Sequence, residues 1–120
     1  VTPPEKPQTF LFFEDGSKRT LSVPSSLILG RKPAPQQTGD IALAVPDHTG
    51  TVSRNHARIE LVDDQIWITD LASTNGTRVL DESGEETELE PNVRTRMHVG
   101  SRIGLGDMGC SIITSKSRRR

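Results

Sequence analysis

A single cysteine, Cys110, leaves this 120-residue chain unable to form an internal disulfide, which excludes the small disulfide-stapled scaffolds. One unpaired thiol fits a reducing, cytoplasmic (intracellular) setting. There is no run of 18 apolar residues, so no helix of the spanning kind is expected. The first residues, Val1-Thr2-Pro3-Pro4-Glu5-Lys6-Pro7, are polar and proline-rich and lack the apolar stretch of a signal peptide. With no initiating Met, the chain reads as a domain cut from a longer protein. No segment keeps a 3.6-residue apolar period over three turns, so essentially no helix is predicted. Tyrosine is missing, and the four other aromatics (Phe10, Phe12, Phe13 and Trp67) fall in two segments. Such a distribution suits core or edge packing better than a base-stacking platform.

Charge is present but unevenly placed. Six of the 16 acidic residues (Asp81, Glu82, Glu85, Glu86, Glu88 and Glu90) lie within ten positions. Four of the 15 basic residues (Lys116, Arg118, Arg119 and Arg120) close the chain, so the other 11 face 16 acids and the body carries −5. A body of that sign lacks the basic face that nucleic-acid binding needs. An anion site here has to be local, built from a few placed donors. The basic tail reads as a solvated linker start, with no membrane contact expected of it.

Ten glycines and eight prolines punctuate short β-prone runs every eight to twelve residues, the pattern of an all-β sandwich or barrel. Candidate strands are Phe10–Phe13, Arg19–Val23, Leu27–Leu29, Ile41–Ala42, Ala57–Leu61, Ile66–Thr69, Thr77–Val79, Glu88–Leu89, Arg94–Met97, Arg102–Leu105 and Ser111–Thr114. The clearest is Ala57-Arg58-Ile59-Glu60-Leu61, whose strict alternation buries one face and wets the other. Val62-Asp63-Asp64-Gln65 turns it into a hairpin with Ile66–Thr69. Glu14-Asp15-Gly16-Ser17-Lys18 is a second hairpin turn, with Gly16 supplying a positive φ. Residues 31–39 and 81–91 are long loops, the latter acidic and with room for one short strand. Residues 1–8 read as a flexible N-terminal segment, 9–114 as the domain and 115–120 as the basic tail.

Three loops hold the unusual residues: Gly30-Arg31, then Thr51-Val52-Ser53-Arg54-Asn55-His56, then Ala72-Ser73-Thr74-Asn75-Gly76-Thr77. Each adjoins a clear strand, so all three can meet at one end of a sandwich, where binding residues concentrate. Arg31 and Arg54 offer guanidinium forks matched to phosphate oxygens. Ser53 and Thr74 offer hydroxyls, and Asn75 an amide. The nearest acid is Asp70, so the set suits a fixed anion rather than acid–base catalysis. Plain structural roles compete: Ser53 and Asn55 as turn formers, and Asn75-Gly76 as a type I′ hairpin turn.

The order and intervals of Gly30-Arg31, Ser53-x-x-His56 and Ser73-Thr74-Asn75-Gly76-Thr77, followed by Gly100-x-x-Ile103-x-Leu105-Gly106, resemble the signature of the forkhead-associated (FHA) domain family over roughly residues 9–114. The resemblance implies an eleven-stranded β-sandwich of two mostly antiparallel sheets, with loops at one end that bind phosphothreonine peptides. It implies Arg31, Ser53, Arg54 and Thr74 at the phosphate, Asn75 on the peptide main chain, and Gly30, His56 and Gly76 as supports of the site. It also implies a small apolar niche for the threonine methyl between the second and third loops. The implied partner is a phosphothreonine-containing protein or peptide, a Ser/Thr kinase or its substrate, with no cofactor, metal or nucleic acid and no enzymatic activity. The alternative is a scaffold of the same fold that binds whether or not its partner is phosphorylated. The long, proline-containing loop after Arg31 and the acidic stretch after Val79 depart from the family pattern, and both bear on partner preference.

Other patterns carry less. Gly104-Leu105-Gly106-Asp107-Met108-Gly109 fits the dinucleotide fingerprint by letter, but a β-prone run follows it where a helix is required, so it reads as a turn. Ser53 and His56 could suggest a nucleophile and base, yet no carboxylate is placed to orient the pair. His48 and His98 stand alone, without metal-ligand spacing. Asn75-Gly76-Thr77 is a glycosylation sequon by letter, which matters only in a secreted protein.

Overall fold

The computed structural model describes residues 8–21, 25–63 and 65–115. The expected residues 1–7 and 116–120, and the end of the second candidate strand at Ser22 and Val23, lie outside them. Eleven strands form two sheets, and no helix occurs among the described residues. The first sheet contains β1 (Gln8–Phe13), β2 (Lys18–Leu21), β7 (Thr77–Leu80), β8 (Glu86–Glu88), β10 (Arg102–Leu105) and β11 (Met108–Ser115), in the order β2-β1-β11-β10-β7-β8. The second contains β3 (Ser25–Gly30), β4 (Asp40–Ala44), β5 (Ala57–Val62), β6 (Gln65–Asp70) and β9 (Thr95–Met97), in the order β4-β3-β5-β6-β9.

Alternation decides which face of each strand meets the core. In β5, Ala57, Ile59 and Leu61 are buried, and across the ladder Ile59 faces Ile68 and Leu61 faces Ile66. Leu11, Ile103, Leu105, Met108 and Ile112 close the core from the other sheet. Each fully buried aliphatic side chain contributes about 1.5–3 kcal/mol relative to exposure. Outer faces carry the amphipathic residues: Lys18 sits 4.8 Å from the Phe10 ring centroid, and Arg94 lies 4.2 Å from that of Trp67. Phe13 is a core residue.

The strand expected at Glu88–Leu89 is β8 at Glu86–Glu88. Leu89 leaves the ladder to enter the core, with its N–H bonded to the Thr77 carbonyl at 2.9 Å. The Gly104–Gly109 motif is the β10–β11 hairpin, with Leu105 paired to Met108 around Gly106-Asp107.

Among the described residues one strand pairing is parallel. β3 and β4 run side by side in the same direction, so the chain has to return the length of β3 through residues 31–39. Nine residues can cover the roughly 16 Å of a five-residue strand step. Asp40 secures that return: its carboxylate accepts the N–H groups of Gln36 and Gln37, each at 2.9 Å, the Ser26 hydroxyl, and Arg58 Nη1 at 2.6 Å. Burial alone would raise its pKa, but these donors prevail and bring it down to about 2.

The site follows from the topology. Leu29 pairs with Ala57, Ala57 with Asp70, and Leu105 with Thr77. The loops after β3, before β5, between β6 and β7, and at the β10–β11 turn therefore gather at one end of the sandwich.

Candidate functional site

At that end the first two loops meet backbone to backbone. The Arg31 N–H bonds the Ser53 carbonyl at 2.9 Å, and the Lys32 N–H reaches the Arg54 carbonyl at 3.4 Å. Gly30 permits the approach: a Cβ built there would overlap the Arg54 carbonyl. The Arg31 side chain is exposed, tethered among the described residues only by a long 3.4 Å contact from Nε to the Val52 carbonyl, so its terminal nitrogens stay available.

Asp47 shapes the second loop. Its carboxylate accepts the Thr49 hydroxyl at 2.7 Å and the N–H groups of Thr49, Gly50 and Val52. Burial opposes ionisation here too, yet the four donors prevail and hold its pKa at about 2. Asp70 shapes the third loop through the same kind of hydrogen bonds. Almost wholly buried, it accepts the hydroxyls of Ser73 and Thr77, each at 2.6 Å, and the Ser73 N–H.

His56 latches the second loop to the third. It is fully buried, its Nδ1 accepts the Ser53 N–H at 3.0 Å, and its Nε2–H donates to the Gly76 carbonyl at 2.8 Å. Burial lowers its pKa and favours the neutral ring, an effect the Gly76 bond offsets only in part. Both ring nitrogens are thus committed to backbone groups. The Ser53 hydroxyl meanwhile accepts the Thr74 N–H at 3.0 Å, and with both His56 nitrogens bonded to backbone groups the two side chains are not paired as nucleophile and base. Gly76 has φ +84°, whereas Asn75 does not adopt a positive φ, and β6 and β7 belong to different sheets. Asn75-Gly76 is therefore a crossing between sheets and not a type I′ hairpin. Asn75 Nδ2 donates to the Thr51 carbonyl at 2.9 Å, which leaves its Oδ1 open.

Arg31, Gly50, Thr51, Val52, Ser53, Thr74 and Asn75 line one open concavity, and none of them is a carboxylate. Arg54 is exposed beside it without lining it. Among the described residues no group of three His, Cys, Asp or Glu side chains is arranged to hold a metal, and His48 instead faces Glu14 at 3.7 Å.

The model of the FHA domain family matches residues 27–106, two thirds of the chain. The chain belongs to the FHA domain family. FHA domains are protein-interaction modules, known for phosphothreonine-dependent binding. Among solved structures, this FHA domain is similar to that of the CT664 protein from Chlamydia trachomatis (24% identity, 88% of this chain and 96% of that one, TM-score 0.68). It is also similar to one solved in work on phosphothreonine-dependent FHA domain interactions (25% identity, 94% and 99%, TM-score 0.62). A curated relative, the chloroplastic zeaxanthin epoxidase of Solanum lycopersicum, is 42% identical over 55 residues, 46% of this chain. The chain spans about a tenth of the length of the curated relatives it matches.

Of the sequence-derived site residues, this FHA domain brings Arg31, Ser53, Thr74 and Asn75 around one concavity, with Gly30, His56 and Gly76 beneath or behind them. Sequence reasoning missed Thr51 and the β10–β11 turn. Thr51 Oγ1 accepts the Asp107 N–H at 2.8 Å, and the Gly106 N–H bonds the Gly76 carbonyl at 3.1 Å, so a fourth loop buttresses the other three. Asp47 was missed as well, although Asp47-His48-Thr49-Gly50 carries the signal of an Asx turn.

Proposed function

We propose that this FHA domain captures a phosphothreonine-containing segment of a Ser/Thr kinase or of a kinase substrate and so joins two proteins in intracellular signalling. The observation that carries this reading is the concavity itself, which gathers a guanidinium, three hydroxyl side chains and an open amide oxygen and is lined by no carboxylate. Donors fixed by backbone bonds suit a dianionic group: the Arg31 fork takes two phosphate oxygens, the Ser53 hydroxyl and the Thr74 hydroxyl take others, and Arg54 adds charge from the rim. Asn75 Oδ1 then accepts a peptide N–H beside the phosphothreonine. Val52, the one aliphatic side chain in the lining, supplies the surface against which the threonine methyl rests.

Calorimetry on one peptide in two forms tests the reading. The phosphothreonine form should bind at about micromolar Kd, roughly −8 kcal/mol, and the unphosphorylated form too weakly to measure. Equal affinity for the two would replace this reading with a phosphorylation-independent scaffold.

A further inference from the structure

Lys32 has no part in the site as described. Its N–H bond to the Arg54 carbonyl is one rung beyond the Arg31–Ser53 bond, so Lys32 and Arg54 stand opposite each other on the rim, both exposed. Between Leu27 and Ile59 the only acids are Asp40 and Asp47. Both carboxylates are already engaged, Asp40 by Arg58, Ser26 and two backbone N–H groups, and Asp47 by Thr49, Gly50 and Val52. Arg31, Lys32 and Arg54 consequently form no ion pair among the described residues, in a chain whose net charge is −1. Acidic side chains stand instead beside the third loop and at the β10–β11 turn. The Glu88 carboxylate lies 3.5 Å from where Gly76 would carry a Cβ, and exposed Asp107 is fastened to Thr51 by its N–H.

A single phosphate on Arg31, Ser53 and Thr74 leaves Lys32 without a counter-ion. We propose that Lys32, with Arg54 beside it, forms a second anion subsite that takes a carboxylate or a second phosphate from the same peptide. The preferred partner is then an acidic segment phosphorylated on threonine, oriented so that its extra negative charge lies on the Lys32 side and away from Glu88 and Asp107. This inference rests on the phosphothreonine reading and adds a direction to it. Charges across a rim attract at range and steer encounter, and salt screens them over about 8 Å at 0.15 M.

The test walks one Glu, or one phosphoserine, through four positions on each side of the phosphothreonine in an otherwise neutral peptide, with binding read by fluorescence anisotropy. The wild-type domain should gain about three- to tenfold with Glu, and more with phosphoserine, at adjacent positions on one side only. The gain should shrink in about 0.5 M NaCl. Lys32→Gln keeps its backbone N–H. It should abolish most of the gain while leaving affinity for the neutral phosphothreonine peptide within about twofold. A wild type that gains at no position, or a gain that survives Lys32→Gln, overturns the second subsite. Equal weakening of neutral and acidic peptides by Lys32→Gln overturns it too, because Lys32 would then be serving the phosphothreonine itself. A neutral phosphothreonine peptide that binds no better than its unphosphorylated twin sinks the underlying reading. A peptide that binds well yet gains nothing from added charge sinks this inference alone.

Discussion

His56→Ala removes the latch between the two loops that frame the concavity. Two hydrogen bonds go with it, to the Ser53 N–H at 3.0 Å and to the Gly76 carbonyl at 2.8 Å, and both groups are left without their partner. Each orphaned backbone group costs about 1–3 kcal/mol, less where water can reach it. The lost imidazole is fully buried, so a cavity adds to the cost. Together the change should destabilise the domain by about 2–4 kcal/mol. A domain of this size loses roughly 4 °C in melting temperature per kcal/mol, so the midpoint should drop by about 8–16 °C. Urea denaturation gives the stability directly. Phosphopeptide titration at a temperature where the variant is still folded separates loop disorder from unfolding, and affinity should fall at least about tenfold.

A pH series adds an independent readout. Burial lowers the folded-state pKa of His56, so the unfolded chain takes up the proton first. The stabilisation is fully present above the unfolded value of about 6.5 and is lost as pH falls through the lower folded value. Wild type should therefore weaken from about pH 6.5 downward, and His56→Gln should lack that component. A variant whose midpoint stays within about 2 °C of wild type, with the same slope in acid, would refute the latch.

Arg31→Ala should weaken phosphopeptide binding about ten- to a hundredfold, from the loss of a charge-assisted fork contact, while thermal melts barely move; an unfolded variant would mean that Arg31 is structural. Gly30→Ala drives a methyl into the Arg54 carbonyl, so the first two loops should separate, and amide exchange at Arg31 and Lys32 should rise sharply. Wild type should prefer phosphothreonine over phosphoserine by about five- to a hundredfold through one buried methyl and its restricted χ1, and Asn75→Ala should weaken both peptides by a similar factor, so matched titrations in which the ratio collapses only in the variant would show Asn75 reading the methyl. Asp40→Asn breaks the Arg58 pair and loosens the β3–β4 return, which should cost about 2–4 kcal/mol in urea. Because Asp40 and Asp47 titrate near 2 when folded, their contribution is complete above the unfolded value of about 3.9 and disappears as pH falls through about 2, which acid titration followed by circular dichroism would register.

The sequence by itself determined where the strands lie, because that information is local. Ala57–Leu61 alternates with period two, Gly16 supplies a positive φ at its turn, and glycines and prolines interrupt the runs between strands. It also determined the inventory of the site, since Arg31, Ser53, Thr74 and Asn75 fall in loops beside clear strands. Only the tertiary structure decided how strands pair across sheets. Nothing within residues 31–39 announces that β4 runs parallel to β3, because the Asp40 carboxylate that gathers the Gln36 and Gln37 N–H groups is itself held by Ser26 of β3 and Arg58 of β5, far from it in the chain. Asn75-Gly76 has the letters of a hairpin turn, and it crosses between sheets because Asp70, Ser73 and Thr77 fix the backbone around it instead. Thr51 and Asp107 lie 56 positions apart, so their contact could be read only once the β10–β11 turn was folded against the second loop. Binding groups are chosen residue by residue, whereas their convergence is set by long-range pairing and by buried carboxylates and one neutral imidazole whose partners the linear order does not reveal.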